Sequence, residues 1–574
     1  MSDFVNRNST CRHQRALQMS VAVAQLLSIG GGYSSRRRLL RQLSMTYTQG
    51  FEQVDIRCAS ATCASSFYWK LPERVPVERF LSSFSVVGRV AATVKDYFSR
   101  KEPFRISHGS TNSTRPNVKK RVVDISELRN VLKVDTHTRT ALVEPNVPMD
   151  RLVEATLPHG LVPPVVMEFP GITVGGGYAG TAGESSSFKY GFFDRTINHV
   201  EMVLADGDVV TASPEQNEDL FRGAAGAVGT LGITTLVELQ LIKAQKYVKT
   251  TYHPTASVSE AIRIIKEQTK DEKNHYVDGI LFSKSHGAIV TGEMTDELPA
   301  NTHPQTFSSP WDPWFYIHVE SKTKSASAPV TEYIPLAEYM FRYDRGGFWV
   351  GCSAFKYMQF PFNRYTRWFL DDFLHTRMLY RALHASGEAR RYVVQDMALP
   401  YPTAEKFIDY TDDTFGIWPL WLCPLKQSPQ PTMHPHSKRE LASDQMLNIG
   451  LWGFGPKNQD EYLGKNRQLE QKLVEFGGMK WLYAHTYDSK DEFWKQFDRK
   501  WHEDLRTKYR ATTFPDVHEK VHVDIAKHHQ MEQSTFALRL RSVWPFGGIW
   551  GIWKAILSGD WRIPRNSSWR GKSS

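Results

Sequence analysis

The stretch that decides the fold is Pro170-Gly-Ile-Thr-Val-Gly-Gly-Gly-Tyr-Ala-Gly-Thr-Ala-Gly-Glu-Ser-Ser-Ser187. Glycine lets a main chain approach a ligand closely and adopt positive φ. Successive amides in such a segment form a nest that binds anions, phosphate above all. Thr173, Ser185 and Ser186 add hydroxyl donors. A glycine-rich turn without a ligand has a similar composition, but this cluster is long and adjoins a run of hydroxyls, which favours a phosphate-cradling loop. The candidate binding residues here are Thr173, Val174, Gly175, Gly176, Gly177, Gly180, Thr181, Gly183, Glu184, Ser185 and Ser186.

Gly175, Gly177 and Gly180 also spell G-x-G-x-x-G, the dinucleotide fingerprint of a βαβ unit. That fingerprint needs a helix behind the glycines and an acid about twenty residues on. Glu201 stands at that distance. The segment from Thr181 to Phe193 holds Gly183, Gly191 and three consecutive serines, with no helical apolar period, and a hairpin follows. The Rossmann reading is therefore set aside.

Two further segments flank the decisive one. Gly223-Ala-Ala-Gly-Ala-Val-Gly-Thr-Leu-Gly-Ile-Thr-Thr235 has small residues at nearly every other position, as packing under a planar cofactor requires. It contributes Gly229, Gly232 and Ile233 as candidates. Upstream, His108-Gly-Ser-Thr-Asn-Ser-Thr-Arg115 is polar and turn-like and contributes His108, Gly109, Ser110, Thr111 and Asn112. Between and around these segments the spacing predicts a helix over Phe84–Phe98 and a hairpin of Val131–Val134 with Thr140–Val143. It also predicts a short helix at Met149–Leu157, a second hairpin around Asp206-Gly207, and a strand over Thr234–Ile242.

From about Tyr247 the texture changes to a second mixture of helices and strands. Ala261–Gln268, Tyr365–Leu383, Lys465–Phe476 and Lys490–Arg499 read as helices. Tyr392–Val394 and Trp418–Leu422 read as strands. Beyond Ser534 the chain carries five tryptophans and seven basic residues against one acid, Asp560. Interfacial tryptophans beside cations suit contact with a membrane surface; packing of this tail on the protein itself is the alternative.

The chain has 574 residues, of which 41% are apolar and 23% charged, ordinary values for a folded protein. Its formal charge of +10 suits an anionic partner, and phosphate cofactors or lipid headgroups both qualify. Zinc-finger, RRM and basic-zipper patterns are missing, so nucleic acid is not expected. The five cysteines are scattered and do not form metal-ligand spacings, so no metal site is expected. Seven arginines, no lysine and one acid in the first fifty residues give a targeting composition, of the mitochondrial kind; a disordered extension or a mis-assigned start has the same look.

The three glycine and hydroxyl segments, in this order, resemble the FAD-binding domain of vanillyl-alcohol-oxidase-type (PCMH-type) flavoproteins. Val143-Glu-Pro-Asn-Val-Pro-Met149, Glu184-Ser-Ser-Ser-Phe-Lys-Tyr-Gly191 and Leu204-Ala-Asp-Gly207 narrow the resemblance to the delta(24)-sterol reductase family. Tyr392-Val-Val-Gln-Asp-Met397, Trp418-Pro-Leu-Trp-Leu-Cys-Pro424, Leu482-Tyr-Ala-His-Thr-Tyr487, Glu492-Phe-Trp494 and Phe514-Pro-Asp516 extend it into the second half. It covers roughly residues 83 to 530.

The resemblance implies an α+β protein: a two-subdomain FAD-binding domain over 83–245, then an α+β substrate cap over 246–533. An N-terminal extension, 1–82, and the basic tail, 534–574, flank them. It implies non-covalent FAD, NADPH as hydride donor, and reduction of a side-chain double bond of a sterol or related alkenyl lipid. It also implies association with membranes, those of the endoplasmic reticulum. Alternatives are an FAD oxidase of sugars, alcohols or lactones, and a catalytically silent sterol-binding flavoprotein. Tyr483 is the candidate general acid, among Tyr392, Asp396, His485 and Tyr487. Lys189 is a candidate for a phosphate contact, or a surface charge.

Overall fold

The computed structural model describes residues 54–56, 67–69, 77–109, 121–180, 182–437, 445–523 and 543–570. Ser110, Thr111, Asn112, Thr181, the arginine-rich first fifty residues and residues 534–542 lie outside them. The chain divides into two compact units at Thr93 and Val94. The first contains a short antiparallel pair, Val54–Ile56 with Phe67–Trp69. The helix Val77–Ser99 runs across the division and starts ahead of the expected Phe84. Pro76 just before it and Glu78 in its first turn are both helix-start signals, and both favour the earlier start.

The second unit is α+β, as expected, and contains two main sheets. The first runs Val131–Asp135, Thr140–Val143, Ile233–Gln240, Ile197–Val203, Val209–Ala212, with every neighbour antiparallel. Both hairpins read from the sequence are there. A small parallel pair, Arg105–Ser107 with Val122–Asp124, leads into it.

The larger antiparallel sheet has eight strands among the described residues. Its order is Val330–Pro335, Tyr247–Thr255, His286–Thr295, Tyr276–Ser283, Leu420–Lys426, Gln445–Phe454, Tyr392–Leu399, Met479–Lys480. Helices Val258–Gln268, Tyr401–Phe415 and Gln459–Glu475 cover one face. Ile262, Ile265, Phe407, Ile408, Leu469 and Leu473 pack there against Val277, Ile289, Val393 and Ile449. Each fully buried side chain of this size contributes roughly 1.5–3 kcal/mol.

Three expectations need correction. Tyr365–Leu383 is not one helix but Arg364–Phe369, a 3-10 turn at Asp371–Phe373, and Thr376–Ser386. Buried polar pairs break it. Arg345 Nε donates to Asp371 at 2.7 Å, His375 Nδ1 meets Asp344 at 2.6 Å, and Asp344 also accepts the Thr376 amide at 3.1 Å. Lys490–Arg499 stops at Trp494, because Asp498 caps a new helix, Arg499–Lys508, by accepting the Trp501 amide. The decisive glycine segment is not loop throughout, since Val174–Gly180 is a short helix.

The described part of the tail packs on the protein. Helix Phe546–Ser558 lays Gly547, Gly548, Gly551 and Ala555 against its neighbours, with Gly551 against Ala382 and Ser386 of the helix Thr376–Ser386. Among the described residues no helix is long and apolar enough to cross a membrane.

Candidate active site

The fold brings the sequence segments together by backbone hydrogen bonds. The amides of Val174 and Gly175 donate to Val147 O and Pro145 O at 2.9 and 2.8 Å. This ties the glycine segment to Val143–Met149. Gly226 and Val228 donate to Tyr178 O and Ala179 O at 3.0 and 2.8 Å, which brings in the second glycine cluster. The glycines serve a different purpose from the one expected. Gly176 and Gly177 donate to Thr173 Oγ1 and Thr173 O, so the amides of Val174 to Gly177 are engaged within the protein. None of Gly175, Gly176, Gly177, Gly180 and Gly183 has positive φ. A Cβ on Gly175 would meet Pro145 at 2.7 Å, and one on Gly177 would meet Met167 at 2.4 Å and Phe193 at 2.9 Å. Glycine is required there for close packing.

Gly180 differs, with no heavy atom within 4 Å of where its Cβ would stand. Gly183 packs toward Leu425 and Phe192. Gly232 packs on Met202, and Ile233 opens its strand fully buried. Positive φ occurs at Gly109 and Gly229, at 72° and 70°. A Cβ on Gly229 would lie 3.2 Å from Ile106 and 3.5 Å from Lys520 Nζ. His108 also faces Lys520, and burial, then that ammonium, push its imidazole down from 6.5. The first and third segments therefore meet beside a cation that sequence reasoning missed. Lys520 belongs to the short helix Val517–Val521 just after Phe514-Pro-Asp516, which was the available signal.

Glu184 and the serines lead into the second sheet. Ser187 Oγ accepts the Glu184 amide at 2.8 Å, and Ser185 O accepts the Val277 amide at 2.8 Å. Ser185, Ser186 and Thr173 are buried. Ser185 also bonds Glu168, the opening of a buried charge network. Arg342 Nη2 donates to Glu168 at 2.9 Å and to Asp278 at 3.0 Å. Asp278 also accepts Tyr343 Oη at 2.8 Å and Trp421 Nε1 at 3.0 Å. One guanidinium faces two carboxylates, so burial dominates, and Glu168 is pushed up to about 7 despite Arg342. Glu184 is pushed up by burial and then by Glu168 and Asp396. The run Tyr339-Met-Phe-Arg-Tyr-Asp-Arg345, with charges set among aromatics, was the overlooked signal.

A small cavity of about 20 Å³, opening to solvent, lies between the helix Thr376–Ser386 and the strand Tyr392–Leu399. Tyr380, Leu383, His384, Tyr392, Gln395, His485 and Tyr487 line it. Next to it Asp396 is buried among neutral donors. Asn448 Nδ2 reaches it at 2.9 Å, Trp452 Nε1 at 3.3 Å, and Tyr483 Oη donates to Oδ2. Burial lifts Asp396 to about 6 against these hydrogen bonds. Tyr483 is pushed well above 10, by burial and then by Asp396 and Tyr380. The other candidates differ in role. Tyr392 is tied to Ser353 at 3.2 Å, and the Tyr487 hydroxyl meets Tyr462 at 3.4 Å. Lys189 is exposed and bonds the carbonyls of Glu272 and Asn274 at 3.0 and 3.4 Å, which occupies it away from the glycine segment. Glu201 accepts Thr235 Oγ1 at 2.7 Å inside the first sheet, a second reason against a Rossmann ribose contact.

Comparison with known proteins adds to this geometry. Residues 86–213 match the FAD binding domain family. The delta(24)-sterol reductases of Macaca fascicularis and Homo sapiens are each 32% identical over 404 residues, 69% of this chain and 76% of theirs. That of Arabidopsis thaliana is 29% identical over 433 residues, with the same coverages of 69% and 76%.

Proposed function

The chain belongs to the delta(24)-sterol reductase family, and from that premise we propose that it is an FAD-dependent oxidoreductase that reduces an isolated double bond in a sterol-like side chain with NADPH. The observation that carries the reading is the buried Asp396–Tyr483 pair, whose chain neighbours Gln395 and Ala484 line the aromatic cleft. An isolated alkene is a poor hydride acceptor and needs a proton at one carbon while hydride arrives at the other. The reaction consumes one hydride and one proton per double bond.

The residues fit an FAD. The space beside Gly180 is open, Gly109 and Gly229 bend with positive φ, and Lys520 and His108 stand where an anionic pyrophosphate is favoured. Lys520 would hold the diphosphate beside the His108–Gly109 turn. Bound FAD supplies the hydride, loaded from NADPH.

The chain's own task is the proton. When Asp396 is ionised, the Tyr483 O–H donates to its carboxylate. When Asp396 is protonated it donates to Tyr483 Oη, and the phenol proton is freed toward the substrate. As the phenol gives its proton to the alkene, Asp396 replaces it in the same step, so no phenolate forms beside a carboxylate. The aromatic side chains that line the cleft would hold the substrate's side chain in place.

Anaerobic stopped-flow tests the reading. NADPH should bleach the flavin, and a sterol with an unsaturated side chain should restore its absorbance. Bleaching by an alcohol or sugar, with none by NADPH, would replace it with the oxidase reading.

A further inference from the structure

The fold leaves a large apolar surface uncovered at two places that touch. One is the segment after helix Val350–Met358, where Phe360 is 55% exposed, Tyr365 73% and Phe369 76%. The other is the tail helix Phe546–Ser558, where Ile549, Trp553 and Leu557 are 52%, 46% and 59% exposed. Single exposed apolar residues are common, but contiguous sets of large ones mark interaction surfaces. The two places join at Tyr357 and Met358. Trp544 Nε1 donates to Tyr357 O at 2.9 Å, and Gly548 lies against both residues.

The tail helix reverses the usual amphipathic arrangement. Its small residues, Gly547, Gly548, Gly551 and Ala555, face the protein, and its large apolar residues face outward. The sequence Phe-Gly-Gly-Ile-Trp-Gly-Ile-Trp-Lys-Ala-Ile-Leu-Ser contains a single charge, Lys554. A helix that met only water would carry polar residues on that face.

The charges at the rim indicate what covers it. Lys554 lies over Trp550 and Trp553 at 5.0 and 5.1 Å, Arg562 over Trp561 at 4.9 Å, and Arg364 over Trp311 at 5.5 Å. Arg367 lies over Phe362 at 4.9 Å. The nearby acids are committed to ion pairs, Asp560 with Arg381 and Asp372 with Arg565. Apolar side chains flanked by tryptophans and cations match the layering of a bilayer surface, from acyl chains to anionic headgroups.

We propose that the Phe360–Phe369 segment and the tail helix form one monotopic docking face for an anionic lipid bilayer. The face adjoins the cavity through a single helix. Thr376–Ser386 presents Tyr380, Leu383 and His384 to the cavity, and Ala382 and Ser386 to Gly551 of the tail helix. A lipid leaving the bilayer would round this helix to reach the cavity; that route rests on the proposed function, whereas the docking does not.

The test is flotation of the full chain with phosphatidylcholine vesicles, with and without phosphatidylserine, and free of sterol. Two paired variants are compared with the wild type, Ile552→Asp with Leu557→Asp and Tyr365→Asp with Phe369→Asp. All four sites are exposed, so thermal stability should hold and serves as the folding control. The wild type should float, more so with phosphatidylserine, and each pair should cut the bound fraction about tenfold. NADPH-dependent turnover of detergent-dispersed sterol should be unchanged. Unaltered flotation of both pairs overturns the proposal. So does a wild-type dimer that either pair dissociates, which would make the face a self-association surface. Because the vesicles hold no substrate, neither result depends on whether the enzyme reduces sterols.

Discussion

Tyr483 Oη donates a hydrogen bond to Asp396 Oδ2, and the other side chains that bond this buried carboxyl, Asn448 and Trp452, are neutral as well. A carboxylate in a dry site with neutral partners keeps its proton to higher pH. The pair therefore stores a proton beside the cavity without a cation.

Tyr483→Phe should slow flavin reoxidation by the sterol by about 10²-fold or more, the usual weight of a positioned acid, and leave flavin reduction by NADPH unchanged. In the wild type the reoxidation rate should fall as pH rises through about 6, where Asp396 ionises. Single-mixing kinetics of the two half-reactions across pH checks both points. Equal slowing of both half-reactions would remove Tyr483 from the proton path.

Asp396 also makes stability depend on pH. Its folded pKa, about 6, lies above the ordinary 3.8. Between these values the native state holds a proton that the unfolded chain has released, so stability falls as pH rises through the window. The cost is complete above about pH 6 and is on the order of 3 kcal/mol. Asp396→Asn does not titrate, so its melting temperature should gain on the wild type between pH 5 and pH 8. A constant difference across that range would count against a raised carboxyl.

Arg342 joins Glu168, just ahead of the glycine segment, to Asp278 in the large sheet. Arg342→Met strands both carboxylates and should cost about 3–5 kcal/mol in urea denaturation. Adding Glu168→Gln should recover part of that loss. Strict additivity of the two substitutions would mean that they do not interact.

Two glycines separate packing from ligand contact. Gly177→Ala drives a methyl into Met167 and Phe193 and should destabilise the apoprotein by about 1–3 kcal/mol. Gly180→Ala meets nothing and should change apoprotein stability by less than about 0.5 kcal/mol. It should still weaken FAD retention, measured by equilibrium dialysis, if the cofactor fills the space beside it.

Part of this was legible in the chain. The turn signal Asp206-Gly207 specifies a hairpin and the alternation through Thr234–Ile242 a strand, and both formed, the strand as Ile233–Gln240. The glycine segment read as a phosphate cradle, whereas Gly175 and Gly177 are packed against Pro145, Met167 and Phe193. The packing of Gly177 on Met167 and Phe193 depends on atoms that meet only after folding. The long helix expected over Tyr365–Leu383 fits the local pattern, yet Asp344 and Arg345 take up its middle from a distance.

The sequence by itself determined the family and the α+β class, because these rest on motif order and local periodicity. Only the tertiary structure decided that Lys520 stands by Gly229, that Arg342 spans Glu168 and Asp278, and that Asp396 is buried against Tyr483. Charge state and donor geometry depend on burial and on partners far apart in the chain. Those are set by which surfaces pack together, and no local pattern of residues encodes them.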